Sequence, residues 1–295
     1  MLVEQKTRPS LSDRQIHSLL RKNLINADEV NSVWRNTHEP PPLETKAGVT
    51  IYHRWPIDPV LFLFKEIFLL NCYTSGGFYA PKPGDVVIDC GANIGIFSLY
   101  LATIEPNLHI HCFEASGDTC RQLEVNVRAN KLQDAITVHR QAIWNEIGQR
   151  VLGPGPSSGR RSFFSSNNAP LLFPGELTSC TTLTGALELC GSKSIDFLKI
   201  DTEGAELEIL EAASAETLGR IKRIAVEIHE EFRPGTKDRV LHRLALARFS
   251  RTCIITEPGS EALVILQTSR DDFVAKKPQR AKEPSTSRDP IRKLG

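Results

Sequence analysis

Apolar residues recur along this chain in two alternating patterns, short continuous blocks and stretches spaced at three to four residues, and their order predicts the architecture. The blocks within 85–90, 110–114, 136–143, 195–201 and 223–229 read as strands buried on both faces. Between them, helical spacing predicts a helix starting near Gly95, one over 118–130 with Leu123 and Val127 inward, one over 204–213 and one over 237–247. Two final strands, 252–256 and 262–267, meet across the short turn Glu257–Ser260 and read as an antiparallel hairpin. Alternation of this kind is that of a doubly wound, mostly parallel sheet.

Residues 1–55 read as an N-terminal helical cap. Ser12 and Gln15 suit a capping box ahead of Ile16, Leu19, Leu20 and Leu24. Asp28 suits the cap of a second helix with Val30, Val33 and Trp34, stopped by Pro40, Pro41 and Pro42. Val49–Tyr52 suits an edge strand, and Asp58 leads a helix burying Val60, Leu61, Phe64, Phe68 and Leu69. The main domain then runs over 56–269. It is interrupted at 144–183 by a segment whose Gly-, Pro- and Ser-rich centre predicts a long loop. Within it Arg160, Arg161, Phe163 and Phe164 suit either an acceptor-binding flap or a plain solvent loop. The charged tail 270–295 predicts disorder.

Composition narrows the class without naming the chemistry. The chain has 295 residues, 40% of them hydrophobic, and a formal charge of +1, which gives no basic excess for nucleic acid. The first ten residues lack an apolar core for a secretory signal, and Lys65 and Glu66 break the most apolar segment, so no membrane span is expected. Seven singly scattered cysteines without a C-x-x-C fit reduced thiols in a cytoplasmic protein.

Candidate chemistry gathers at the carboxyl ends of the strands, where open α/β sheets bind ligands. The turn D-C-G-A-N-I-G carries Asp89, Gly91, Ala92, Asn93 and Gly95, with glycines that let backbone approach a ligand. Asp89 closes an apolar strand, so its carboxylate must accept hydrogen bonds or face a positive group. Glu114, nineteen residues after Gly95, suits the two hydroxyls of a ribose. The turn lacks the glycines of G-x-G-x-x-G, which argues against a pyrophosphate and so against a nicotinamide dinucleotide. S-adenosylmethionine, whose ammonium and sulfonium favour carboxylates, suits Asp89 and Asp201 better. Glu203 and His229 follow the fourth and fifth strands. Glu227 and His229 share one face of a strand while Glu230 lies on the other, so no metal centre is expected.

The motifs V-V-I-D-C-G-A-N-I-G-I-F-S (86–98), H-C-F-E-A (111–115) with Asn126 and Asn130, I-D-F-L-K-I-D-T-E-G-A-E-L-E-I-L (195–210) and A-V-E-I-H (225–229) resemble the FkbM family of S-adenosylmethionine-dependent methyltransferases. Residues 54–68 are similar to the family's lead-in, and the likeness extends from Arg54 to Gln267. It implies a class I methyltransferase fold with strand order 3-2-1-4-5-7-6. The implied reaction is methylation of a hydroxyl on a small molecule, a natural product or a saccharide, by in-line attack of the acceptor oxygen on the sulfonium methyl. N-methylation, carboxyl methylation and cofactor binding without turnover remain alternatives, and a homodimer is possible. For the acceptor's proton, His229 is the first candidate base and Glu203 the second. Arg54, Asp58, Glu66 and Tyr73 match the lead-in. They either shape or cover the methionine end of the cofactor or form surface ion pairs. Thr184 and Ala115 depart from the family pattern on what would be the acceptor side.

Overall fold

The computed structural model describes residues 2–7, 13–24, 41–54, 57–153, 161–164, 175–257 and 260–270. The expected helix around Val30 and Trp34, the caps at Ser12 and Asp58, Arg160 and the tail beyond Arg270 fall outside the described residues or side chains.

In chain order the strands are β1 (Leu2–Thr7), β2 (Leu43–Glu44), β3 (Thr50–Ile51), β4 (Val86–Cys90), β5 (His109–Phe113), β6 (Ile136–His139), β7 (Ala142–Trp144), β8 (Gly148–Leu152), β9 (Glu176–Thr182), β10 (Phe197–Ile200), β11 (Arg223–His229), β12 (Phe249–Glu257) and β13 (Ser260–Arg270). The helices are α1 (Asp13–Asn23), α2 (Ile57–Phe64), α3 (Ile96–Ile104), α4 (Gly117–Ala129), α5 (Leu183–Leu189), α6 (Glu206–Ala212), α7 (Ala215–Gly219) and α8 (Thr236–Leu246). The central sheet has the order β6-β5-β4-β10-β11-β13-β12-β1. Its first seven strands realise 3-2-1-4-5-7-6, parallel except at the β11–β13 and β12–β13 pairs.

Burial on both faces explains the unbroken apolar strands. Val87 and Phe197 pack into one core layer with Leu99, Leu123 and Phe64. Ile88 and Leu198, their neighbours in the chain, pack into the other with Leu207, Leu210 and Leu244. A one-residue step therefore crosses the sheet at each strand.

The N-terminal segment is not wholly helical. Leu2–Thr7 pairs in parallel with β12 and adds an exposed edge strand. Asn126, on α4, and Asn130, the residue that caps its C-terminus, substitute for a strand beside β3. Asn130 exchanges hydrogen bonds with the Thr50 backbone (2.8 and 2.7 Å), and Asn126 does so with Tyr52 (2.7 and 3.1 Å). The Asn126 amide also donates to the Ile94 carbonyl (2.8 Å), tying this segment to the turn after β4.

Two expectations about the middle of the chain are corrected. The single strand foreseen over 136–143 breaks after His139, and β7 joins a separate sheet of order β7-β9-β8. The foreseen loop thus contains two strands, paired antiparallel from Gly148 to Leu152 and Glu176 to Leu177 onward to Cys180. Nor is Arg161 a solvent group. It is 7% exposed, and its guanidinium meets Glu176 Oε2 (2.8 Å) and Ser116 Oγ (3.0 Å). Phe163 packs edge-on to Trp144 at 4.9 Å. Arg161→Ala leaves the buried Ser116 hydroxyl and the partly buried Glu176 carboxylate without this donor and is expected to cost about 1–3 kcal/mol in urea denaturation. A cost below about 0.5 kcal/mol, the scatter of ordinary surface changes, would show that the pair does not hold this segment. Among the described residues, no helix is long and apolar enough to cross a membrane.

Candidate active site

The site begins where β4 ends. Gly91 has φ +75°, Asn93 φ +53° and Gly95 φ +90°, so the chain turns sharply into α3. A Cβ on Gly91 would lie 1.7 Å from the Asp201 carbonyl oxygen, which shows how closely the turn after β10 approaches. Beneath the turn, Asp89 is fully buried and faces a positive group, as its position required. Lys199 Nζ donates to Asp89 Oδ1 (3.0 Å) and to the Gly91 carbonyl (2.9 Å), and Ser98 donates to Asp89 Oδ2 (2.7 Å). Lys199 stands opposite Asp89 in the parallel register of β10 on β4. Burial alone would lower its pKa, but the charges of Asp89 and Asp201 outweigh burial and raise it.

Glu114 follows β5. Its Oε2 accepts from the Asn93 amide (2.9 Å) and its Oε1 from the Ser116 amide (2.8 Å). Burial raises its pKa to about 7 against these two bonds.

The ends of β10 and β11 bring acids around one imidazole. His229 Nδ1 lies 2.9 Å from Glu206 Oε1. His229 Nε2 has Glu203 Oε2 at 3.8 Å, Glu227 Oε1 at 3.9 Å and Asp201 Oδ1 at 4.0 Å. Glu206 Oε1 also receives the amides of Thr202 (3.2 Å) and Gly204 (3.0 Å), so it acts as an acceptor and Nδ1 carries the proton. Those bonds wrap the turn around Glu206 and hold Glu203 at φ +52°, a strained value for a side-chain-bearing residue. Burial lowers the His229 pKa, yet the Glu206 bond and the charges of Glu206, Glu203 and Glu227 raise it well above the ordinary value. Glu227 is pushed up to about 8, by burial first and by Asp201 next. The Tyr73 hydroxyl lies between Asp201 Oδ2 (3.0 Å) and Glu227 Oε2 (2.5 Å). Burial and these two acids raise its pKa, so it stays a neutral donor.

Of the candidates read from sequence, Tyr73, Asp201, Glu203 and His229 meet in this group. Glu66 is buried on a π-helical turn, Lys65–Leu69, near enough for its charge to act on Glu227. Asp89 does not reach the same space, because it lies under the turn with both oxygens engaged. Gly91, Ala92, Asn93 and Gly95 lie in the turn after β4, where Gly91 abuts the Asp201 carbonyl and the Asn93 amide bonds Glu114. The expectation missed Lys199 and Glu206, and it discounted Glu227. A lone lysine inside F-L-K-I was the available signal for the first, since a buried strand holds a charge only against a partner.

Residues 89–251, more than half of the chain, match the methyltransferase FkbM domain. The 31-O-demethyl-FK506 methyltransferase FkbM of Streptomyces tacrolimicus is 29% identical over 196 residues, covering 57% of this chain and 74% of that protein. The methyltransferase sdnD of Sordaria araneosa is 26% identical over 196 residues, with the same 57% and 74% coverage. A crystal structure of methyltransferase FkbM from Methylobacillus flagellatus KT aligns with a TM-score of 0.48 at 16% identity. It covers 66% of this chain, which spans 46% of that one. The domain match begins at Asp89 and takes in the glycine turn, Glu114 and the acids at the ends of β10 and β11, and on it the chain belongs to the FkbM family of methyltransferases.

Proposed function

We propose that the protein is an S-adenosylmethionine-dependent O-methyltransferase whose acceptor is a hydroxyl of a small molecule, a natural product or a saccharide. The observation that carries this reading is the convergence of Tyr73, Asp201, Glu203, Glu227 and His229 beside a glycine turn that a Cβ would fill. The donor set fits the cofactor: acids for a cationic methionine end, and Glu114 for a ribose diol. Asp201 and Tyr73, with Glu66 behind them, would hold the methionine end, while Lys199 and Asp89 keep the turn in place from below. When bound, S-adenosylmethionine supplies a methyl group already activated by its sulfonium.

The protein's share is alignment and proton removal. Holding an acceptor oxygen in line is worth up to ~7–11 kcal/mol in well-oriented systems. For the proton, Glu203 has the better access of the two candidates, with a side chain 18% exposed against 7% for His229, whose Nδ1 is tied to Glu206. Glu203→Gln is expected to slow transfer by about 10²–10⁴-fold with cofactor affinity retained. An oxygen acceptor also agrees with the name of the Streptomyces tacrolimicus relative, a methyltransferase of 31-O-demethyl-FK506.

Calorimetry with S-adenosylmethionine and with its demethylated product tests the cofactor, and no heat with either would sink the reading. A methyl-transfer screen over hydroxylated metabolites tests the acceptor class.

Glu114 supplies a pH signature. A ribose diol donates to a carboxylate and loses an acceptor when the group is protonated. Cofactor affinity is therefore expected to rise about tenfold per pH unit until Glu114 ionises near its pKa of about 7. The stability sign is opposite. Between the ordinary 4.5 and about 7 the native group holds a proton that the unfolded chain has lost, so its contribution to stability falls as pH rises. Glu114→Gln should flatten both slopes; a cofactor affinity of unchanged pH dependence in that variant would remove Glu114 from the ribose.

A further inference from the structure

We propose that Asp201, Glu227 and His229 form a site for one divalent cation, of which Mn²⁺ is the working example, and that the ion takes the acceptor oxygen as a further ligand. The second half rests on the methyltransferase reading; the cation site itself does not.

One ligand atom from each of the three residues lies within 4.8 Å of the other two. Donors bound to one ion at about 2.0–2.2 Å sit roughly 3 Å apart, so closing the observed gaps requires side-chain movements of about 1 Å or less. β11 alone offers only two donors, which is why none was expected from the sequence. The third comes from the end of β10. Glu230 is occupied elsewhere, accepting the amides of Gly235 (2.7 Å) and Lys237 (2.6 Å) at the start of α8.

An independent observation points to a ligand. His229 is 6% exposed, and its Nε2 is aimed at three carboxylates that stand 3.8–4.0 Å away, beyond hydrogen-bond reach. The other ring nitrogen is fixed by Glu206. This is the second-shell arrangement that metal-ligating histidines use, a carboxylate holding one N–H while the opposite nitrogen, giving up its proton as the ion binds, meets the ion. Asp201 divides its oxygens in a compatible way. Oδ2, beside Tyr73 (3.0 Å) and 3.4 Å from Lys199, is the oxygen left to the cofactor's methionine end, while Oδ1 turns to His229 and the ion. Lys199 is shared with Asp89, so it does not neutralise the group. Carboxylate oxygens with one imidazole suit a hard-to-borderline ion.

Such an ion would hold the acceptor oxygen and lower its pKa. The O–H bond breaks, the electron pair stays on oxygen, and the proton goes to the Glu203 carboxylate.

The test is titration of the chelator-treated full-length protein with Mn²⁺, following the free-ion electron paramagnetic resonance signal. One ion per chain is expected. Asp201→Asn and His229→Gln should each weaken binding at least tenfold, and Glu206→Gln about 10–100-fold. Thermal melts without metal establish which variants fold, and Glu227→Gln, read by loss of the Mn²⁺-dependent rise in melting temperature, serves if the others do not. Failure of the wild type to deplete free Mn²⁺ at millimolar concentration, or equal depletion by the folded variants, overturns the site. Displacement of Mn²⁺ by S-adenosylmethionine overturns the ion's role toward the acceptor, because the cofactor's own cation would then occupy the place. Cofactor calorimetry in chelator reports separately on the methyltransferase reading.

Discussion

Replacing Lys199 with methionine is expected to cost about 3–5 kcal/mol of folding stability, the price range for breaking a buried ion pair from one side. The two side chains have similar length, so packing changes little. What changes is charge. Asp89 is fully buried, and without Lys199 its carboxylate keeps only the Ser98 hydroxyl. The Gly91 carbonyl loses its 2.9 Å donor in the same step, and Asp201 loses the ammonium at 3.4 Å. Pairing Lys199→Met with Asp89→Leu should recover most of the loss, since an apolar pair of similar volume replaces a buried ion pair at little cost. Urea denaturation of both single variants and the double variant gives the coupling directly. A cost below about 1 kcal/mol for Lys199→Met, outside the range for a broken buried pair, would mean that Asp89 is satisfied without it. Cofactor affinity should fall with stability in the single variant, because Lys199 braces the turn from below.

The alternation of strands and helices and the polar residues at strand ends were legible because they depend on local pattern, whereas the strand order came from the family resemblance. Apolar blocks separated by helical spacing specify a parallel sheet, and the sheet then collects Asp201, Glu203 and His229 at one edge. Lys199 shows where that reading stops. Its partner is set by the register of β10 on β4, between residues 110 positions apart. Asn126 and Asn130 stood out as motif residues, yet their work is to replace a missing strand for backbone 74 and 80 positions away. Glu206 carried no reading of its own beyond its place in the 195–210 motif; its bonds to the Thr202 and Gly204 amides and to His229 exist only once the turn closes. In 144–183, glycine, proline and serine at the centre obscured the flanking strands β8 and β9, whose polar and apolar residues alternate only in part.

Gly91→Ala is expected to lower cofactor affinity by about 100-fold or more, the scale of loss when a site shifts by an ångström. Gly95→Ala should lower it far less. Both glycines have positive φ, +75° and +90°, so both variants carry the strain of a left-handed alanine, roughly 1–2 kcal/mol. The neighbours differ. At Gly95 the added methyl meets Leu123 Cδ1 at 2.3 Å, the mobile end of a side chain that can rotate away. At Gly91 it meets the Asp201 carbonyl oxygen at 1.7 Å and its carbon at 2.8 Å, and backbone cannot rotate away. Both chains there are anchored. Gly91 N donates to the Phe113 carbonyl (3.0 Å) and Asp201 N to the Cys90 carbonyl (3.0 Å). Relief therefore forces the turn after β4 and the turn after β10 apart by more than an ångström, pulling Lys199 from Gly91 and carrying Asp201 and Glu203 out of line. Calorimetry with S-adenosylmethionine on both variants, checked by thermal melts for retained fold, ranks them. Equal losses would show that the strained backbone, and not the contact with Asp201, makes glycine necessary at 91.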